Sequence, residues 1–174
     1  LTGRRILLIV SEKDFRDSEL TDPRDYFLKA GGSVEVASTD PSRATGVGGL
    51  TLDPDLGIEQ ANATGYDAVV FVGGPGSKTY LWDSQAAAKL AKDAYESQKV
   101  VAAICLSPVV LARAGILQGV TATGFNDEEL KDELQKAGAN YTGRGVEVDG
   151  RIVTANGPAA ATDFAAAIAE ILGG

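Results

Sequence analysis

Val100-Val-Ala-Ala-Ile-Cys-Leu-Ser-Pro-Val-Val-Leu-Ala-Arg-Ala-Gly115 reads as a buried strand, a tight corner and a helix. The apolar run Val100–Ile104 suits a strand covered on both faces. Pro108 suits the first turn of a helix, and Gly115 its end. Cys105, the only cysteine in the chain, falls at the corner. A nucleophile between a strand and a helix N-terminus is held at a strained turn with backbone N–H groups around it. Those groups and the helix dipole favour negative charge, so a thiol there leans toward thiolate and a depressed pKa. A free cysteine is equally at home as a small buried hydrophobe on a core strand, and this segment alone fits both descriptions.

Outward from that corner, apolar runs alternate with helical patterns, the signature of an α/β domain with a parallel sheet. Strands are expected at Arg4–Val10, Ser33–Ser38, Asp67–Val72 and Val100–Ile104, with a shorter one at Gly119–Thr123. Helices are expected over Asp17–Ala30, Ser84–Gln98, Pro108–Ala114, Asp127–Ala137 capped by Asn126, and Pro158–Leu172. Pro23 interrupts the first of these and predicts a short turn ahead of the helix proper. Thr39–Ala63 is rich in Gly, Pro and Asp, with a short hairpin expected around Val47–Leu52. Asp149-Gly150, between Val146–Val148 and Arg151–Thr154, is a two-residue hairpin signal. With no repeat, heptad or linker, residues 1–174 read as one domain: a flavodoxin-like, three-layer sandwich around a mostly parallel, doubly wound sheet. The active crevice of such a sheet lies beyond the carboxyl ends of its strands, where Ser11, Gly73-Gly74 and Cys105 are candidates to converge.

Composition removes several function classes. The 174 residues are 44% hydrophobic and 23% charged, ordinary for a soluble domain. Twenty-four acidic against 16 basic residues give a net charge of −8, unlike a nucleic-acid-binding surface. Apolar runs are too short for a bilayer, so no membrane partner is expected, and no leader pattern is present, so a cytoplasmic location is. The chain has no histidine. Ser-His-Asp and Cys-His mechanisms therefore cannot be completed, even in a homo-oligomer. Zinc and transition-metal sites of the N/S kind are excluded with them, so neither metal nor cofactor is expected.

Two further stretches bear on chemistry. Gly73-Gly-Pro-Gly-Ser-Lys-Thr79 fails as a phosphate loop, because Ser77 separates glycine from Lys78 and the helical pattern begins only after Trp82-Asp83. It reads instead as an N–H donor loop, in which the amide of Gly74, with that of Leu106, forms an oxyanion hole, or as a plain strand-to-helix turn. Glu19, in Arg16-Asp-Ser-Glu-Leu-Thr21, sits in a first helical turn, where an acid commonly complements the dipole and faces water. Beside Cys105 it would matter more: protonated, it could donate to a thiolate; ionised, it would repel one and raise both pKa values.

These residues together resemble the ThiJ/PfpI superfamily, the DJ-one group, related to class I glutamine amidotransferase domains. The resemblance covers nearly the whole chain. Tyr66-Asp-Ala-Val-Val-Phe-Val-Gly-Gly74 is similar to the family's strand and oxyanion glycine pair, Ala102-Ala-Ile-Cys-Leu-Ser-Pro108 to its Ala-Ile-Cys-x-Gly-Pro elbow, and Asp17-Ser-Glu-Leu20 to its Asp-Val-Glu-Leu. The resemblance implies Cys105 as nucleophile or oxidisable thiol, Glu19 as its hydrogen-bond partner and proton shuttle, Gly74 and Leu106 as oxyanion donors, and a homodimer or larger homo-oligomer. Three positions depart from the pattern: Leu106 stands where PfpI-like peptidases have histidine, Thr123 about where the DJ-one type has one, and Ser107 at the elbow glycine. The leading expectation is therefore an enzyme acting on small reactive carbonyls, glyoxalase-like or deglycase-like, through the Glu-Cys pair. A redox-responsive or chaperone-like protein whose cysteine oxidises to sulfinate is the alternative. A PfpI-type cysteine peptidase is disfavoured by the missing histidine, and a relative without catalysis completes the set.

Overall fold

A computed structural model of the chain describes residues 1–173. The strands are β1 (Arg5–Val10), β2 (Lys13–Phe15), β3 (Ser33–Ser38), β4 (Ala44–Gly46), β5 (Thr51–Leu52), β6 (Leu56–Gly57), β7 (Ala68–Phe71), β8 (Val100–Ile104), β9 (Thr121–Ala122), β10 (Asn140–Tyr141), β11 (Val146–Asp149) and β12 (Ile152–Ala155). The helices are α1 (Asp17–Lys29), α2 (Gly76–Tyr80), α3 (Gln85–Glu96), α4 (Pro108–Arg113), α5 (Glu128–Lys136) and α6 (Ala161–Gly173).

Seven strands form the main sheet in the order β11-β12-β8-β7-β1-β3-β6. Every neighbouring pair is parallel except β11 with β12. The central strands β7 and β8 are buried throughout, and β1 from its second residue on, which is why they read as unbroken apolar runs. Helices α1 and α6 pack together on one side of the sheet, and α3 and α4 on the other. This is the expected flavodoxin-like, three-layer α/β arrangement. Ile9 pairs with Phe71 and Phe71 with Ala103, so the residues just past β1, β7 and β8 share one edge of the sheet.

Several local expectations are corrected. Pro23 does not interrupt α1, which runs unbroken through it. The amide that proline lacks would have bonded only the carbonyl of Glu19, and the ring is buried against the core. Asp127, rather than Asn126, caps α5: its carboxylate accepts the Leu130 amide at 3.0 Å while also receiving Lys78 Nζ at 3.0 Å. A helix, α2, begins at Gly76, earlier than the pattern after Trp82-Asp83 indicates. The turn of the β11–β12 hairpin is Gly150-Arg151, one residue later than expected, because Asp149 pairs with Ile152. The strand expected at Gly119–Thr123 shrinks to β9, which lies outside the main sheet and pairs with β10. The expected hairpin near Val47–Leu52 is β4 with β5, joined by β2 in a small separate sheet. None of the described helices is long and apolar enough to cross a membrane.

Candidate functional site

Cys105 directly follows β8 with φ +64°, in the left-handed region that L-residues avoid. Its backbone is pinned from two sides: its amide donates to the Ala155 carbonyl at 2.9 Å, and its carbonyl accepts the Phe125 amide at 2.8 Å. Such a conformation costs about 1–3 kcal/mol and persists where the surroundings over-determine it. The residue is buried, 2% exposed.

The glycine pair after β7 closes on this corner. A methyl on Gly73 would stand 2.5 Å from Cys105 Cβ and 2.6 Å from Glu19 Oε1, so only glycine lets the two side chains share that space. The Gly73 carbonyl accepts the Arg16 amide at 2.8 Å, which docks the start of α1 on the loop. Gly74, at φ +118°, presses against the Phe15–Arg16 backbone with no room for a Cβ. The amides of Gly74 and Leu106 both act on the Cys105 sulfur and favour its charged form. Glu19, in the first turn of α1, is fully buried. Thus all four residues singled out from the sequence, Cys105, Glu19, Gly74 and Leu106, meet in one place. Ser11 does not join them: its hydroxyl donates to the Lys13 carbonyl at 2.8 Å and supports the loop beneath Gly76.

The electrostatics depart from the sequence reading. Burial pushes the Glu19 carboxyl up to about 7, against the opposing pull of the Cys105 thiol, the positive Arg16 and the Gly73 amide. Burial first, and the Glu19 charge second, push the Cys105 thiol up to about 12, against the amides of Gly74 and Leu106. The expected depressed thiol pKa is therefore corrected: the corner is sealed from water, and a carboxylate beside a sulfur opposes a second negative charge. Neither the thiol nor the Gly73 amide gives Glu19 a well-directed hydrogen bond. Both of its carboxylate oxygens are buried without a partner, as is Arg16 Nε, and these are the only such side-chain atoms among the described residues.

Ser107, at the departing elbow position, is fully buried and donates to the Val72 carbonyl at 2.6 Å. Its oxygen lies 2.9 Å from Ser77 Oγ. Because the Ser107 proton is committed to Val72, Ser77 is the donor of that second bond. The pair staples the residue after Leu106 to the residue before Gly73. Trp82 Nε1 adds a bond to the Leu106 carbonyl at 2.8 Å. Thr123 does follow β9, but its hydroxyl donates to the Arg144 carbonyl at 2.6 Å and its amide to Thr154 Oγ1 at 3.0 Å, so it is engaged structurally. Lys78 is held by Asp127 and Glu129, and Gly76 lies against the Lys13 carbonyl, which leaves the glycine-rich loop no phosphate cradle. Among the described residues no three metal-ligating side chains come together.

Sequence reasoning missed Arg16, Ser77 and Asp17. Asp17 accepts the amides of Gly48 and Leu50, each at 3.1 Å, and so fixes the β4–β5 hairpin beside the start of α1. The only available signal was the cluster of polar residues around Glu19, which local spacing does not resolve into roles.

A family model described as the DJ-1/PfpI family matches residues 4–171. An uncharacterised protein of Methanocaldococcus jannaschii is 46% identical over 158 residues, covering 91% of this chain and 77% of the relative. A protein of Thermococcus kodakarensis named a deglycase is 33% identical over 152 residues, covering 87% and 90%. The crystal structure of a ThiJ/PfpI domain protein from Brachyspira murdochii superimposes with a TM-score of 0.93 at 36% identity, covering 99% of this chain and 98% of that one.

Proposed function

The chain belongs to the DJ-1/PfpI family, and from that premise and the geometry of its elbow we propose that it is an enzyme of small reactive carbonyls, glyoxalase-like or deglycase-like, working through Cys105 and Glu19. The single observation that carries this reading is the buried pairing of a lone thiol with a carboxyl raised to about 7, under two backbone amides. A general base is most effective when its pKa lies near the working pH. The deglycase name of relatives 33% identical supports the same class.

In the proposed reaction Glu19 takes the thiol proton as the sulfur attacks an aldehyde carbon. A C–S bond forms, and the carbonyl π pair moves to the oxygen, which the amides of Gly74 and Leu106 hold. Glu19 returns the proton to that oxygen, leaving a neutral hemithioacetal. With a 2-oxoaldehyde, the carboxylate then takes the proton from the sulfur-bearing carbon and delivers it to the neighbouring carbon, while the hydroxyl proton of the hemithioacetal passes to the former ketone oxygen, giving a neutral 2-hydroxy thioester. Water cleaves the thioester to a 2-hydroxy acid and the free thiol. Two amides aimed at a developing oxyanion are worth about 10²–10³ in rate each. A cysteine only 2% exposed favours small molecules over a peptide chain.

The test is conversion of methylglyoxal to lactate by the wild type and Cys105→Ala. We expect turnover by the first and a loss of at least about 10³-fold in the second. Absence of turnover by the wild type, or equal rates in both, would sink the reading.

A further inference from the structure

The three buried side-chain atoms without partners, Arg16 Nε and the two oxygens of Glu19, belong to residues three apart at the start of α1, and the Arg16 charge acts on Glu19. Everywhere else among the described residues the buried side-chain nitrogens and oxygens are satisfied. A buried donor left unpaired costs about 1–3 kcal/mol, so a concentration of them at one point marks a place completed by something else. Glu19 has an obvious complement in the protons of the reaction proposed above. Arg16 has none there. It is a permanent cation, it forms no ion pair with any described residue, and its side chain does not cap α1. Its amide is fixed on the Gly73 carbonyl at 2.8 Å, one residue from the Gly74 amide and on the glycine whose missing side chain makes room for Cys105 and Glu19. Its charge reaches Glu19 without an ion pair forming.

We infer that Arg16 is a specificity-determining residue that receives a carboxylate, and that this site accepts carbonyl compounds bearing a carboxylate next to the reacting carbon, glyoxylate being the smallest. A guanidinium N–H to a carboxylate oxygen is a charge-assisted bond, stronger than one to a neutral carbonyl. A ligand of this class places one oxygen under the Gly74 and Leu106 amides and a charged oxygen on the adjacent carbon, within the same small space. Capture is reversible: the sulfur adds to the aldehyde carbon, the C–S bond forms as the C=O π bond breaks, and the thiol proton ends on the new hydroxyl by way of Glu19. Nothing is oxidised or reduced. This inference rests on the Cys105–Glu19 site proposed above and adds a ligand class to it.

The experiment measures how glyoxylate and acetaldehyde protect Cys105 from iodoacetamide, read by mass spectrometry. The ratio of the two protecting concentrations is compared with the same ratio for N-acetylcysteine, which removes the intrinsic difference in electrophilicity. We expect the wild type to favour glyoxylate at least about tenfold beyond the small thiol, as one charge-assisted bond would give. Arg16→Ala should return the ratio to that of N-acetylcysteine. Arg16→Lys, which keeps the charge and the fold but not the Nε donor, should fall between them and decides the matter if the alanine variant does not fold. A wild-type ratio no greater than that of the small thiol, or a ratio unchanged in the variants, overturns the inference. Methylglyoxal turnover in the same preparations judges the catalytic reading separately.

Discussion

Two glutamates at opposite ends of the same sheet are handled in opposite ways. Glu35, on β3 near the start of the strands, takes Arg5 Nη2 at 2.6 Å and the Tyr66 hydroxyl at 2.9 Å in partial contact with water. Those bonds, the one from Arg5 first, hold its carboxyl below the ordinary value. Glu19, beyond the far ends of the strands, is fully buried with no partner for either oxygen, and burial raises it to about 7. One end of the molecule satisfies its charges. The other concentrates a positive-φ cysteine, a crowded glycine pair and three orphaned atoms within a few residues. Strain and unsatisfied polarity of this kind cluster at functional sites, and the Glu35 end shows that the fold itself does not require them.

Glu19→Gln should break this contrast most severely. Removing the proposed proton carrier is expected to lower kcat/KM for methylglyoxal about 10²–10⁴-fold. In the wild type, kcat/KM should rise with pH through about 7 as Glu19 ionises, and that limb should vanish in the variant. The variant should also gain stability. A carboxyl raised from 4.5 to about 7 is neutral in both folded and unfolded chains below pH 4.5 and ionised in both above about 7, so its burial opposes folding increasingly across that window. The melting temperature of Glu19→Gln should therefore match the wild type in acid and exceed it at pH 8, by the equivalent of about 1–3 kcal/mol. Removing the negative neighbour should also bring the Cys105 thiol down, so that iodoacetamide reacts at lower pH. A variant less stable than the wild type at pH 8 would show that Glu19 is partnered after all.

Ser107→Ala tests whether the Cys105 end has its own internal staple. The substitution leaves the buried Val72 carbonyl and the Ser77 hydroxyl each without a partner, at about 1–3 kcal/mol. If the staple also sets the spacing of the Gly74 and Leu106 amides, kcat should fall about tenfold with KM little changed, since oxyanion contacts act in the transition state. Ser77→Ala, which removes only the outer bond, should show a smaller loss. An unchanged melting temperature would mean that the hydroxyl chain carries no weight.

The two ends were not equally legible. The strand–corner–helix around Cys105, the Gly73-Gly74 turn and the alternation of elements are local patterns, and they place the site at the right edge of the sheet. The order of elements brings Gly73-Gly74 to Cys105, because strand order decides which ends are neighbours, whereas the meeting of Glu19 with Cys105 was legible only through the family resemblance. The helix-end argument gives the wrong direction for the thiol pKa, while the effect of an ionised Glu19 has the right sign; the larger cause, desolvation, depends on how much of the chain closes over the corner, which local sequence does not contain. Asn126 and Asp127 are both good caps by type; the choice falls to Asp127, which also binds Lys78, 49 residues away. Arg16 and Ser77 were invisible for the same reason: their meaning lies in the carbonyl and hydroxyl groups that other segments present, or fail to present, to them.

The smallest effect is expected at the satisfied end, and its sign is what matters. Glu35→Gln removes an ion pair whose members are 50% and 37% exposed, so screening limits its worth, and the melting temperature at pH 7 should fall by no more than about 2 °C. Because the carboxyl is held below its ordinary value, its contribution is present above about pH 4.5 and lost as the pH falls through the lower, folded-state value. Added salt should shrink the difference further. Both glutamate variants thus converge on the wild type in acid, yet at neutral pH they depart from it in opposite directions. A pair of pH–melting curves that bend the same way for Glu19→Gln and Glu35→Gln would mean the two carboxyls are not differently held, and the division of the sheet into a satisfied and an unsatisfied end would fail.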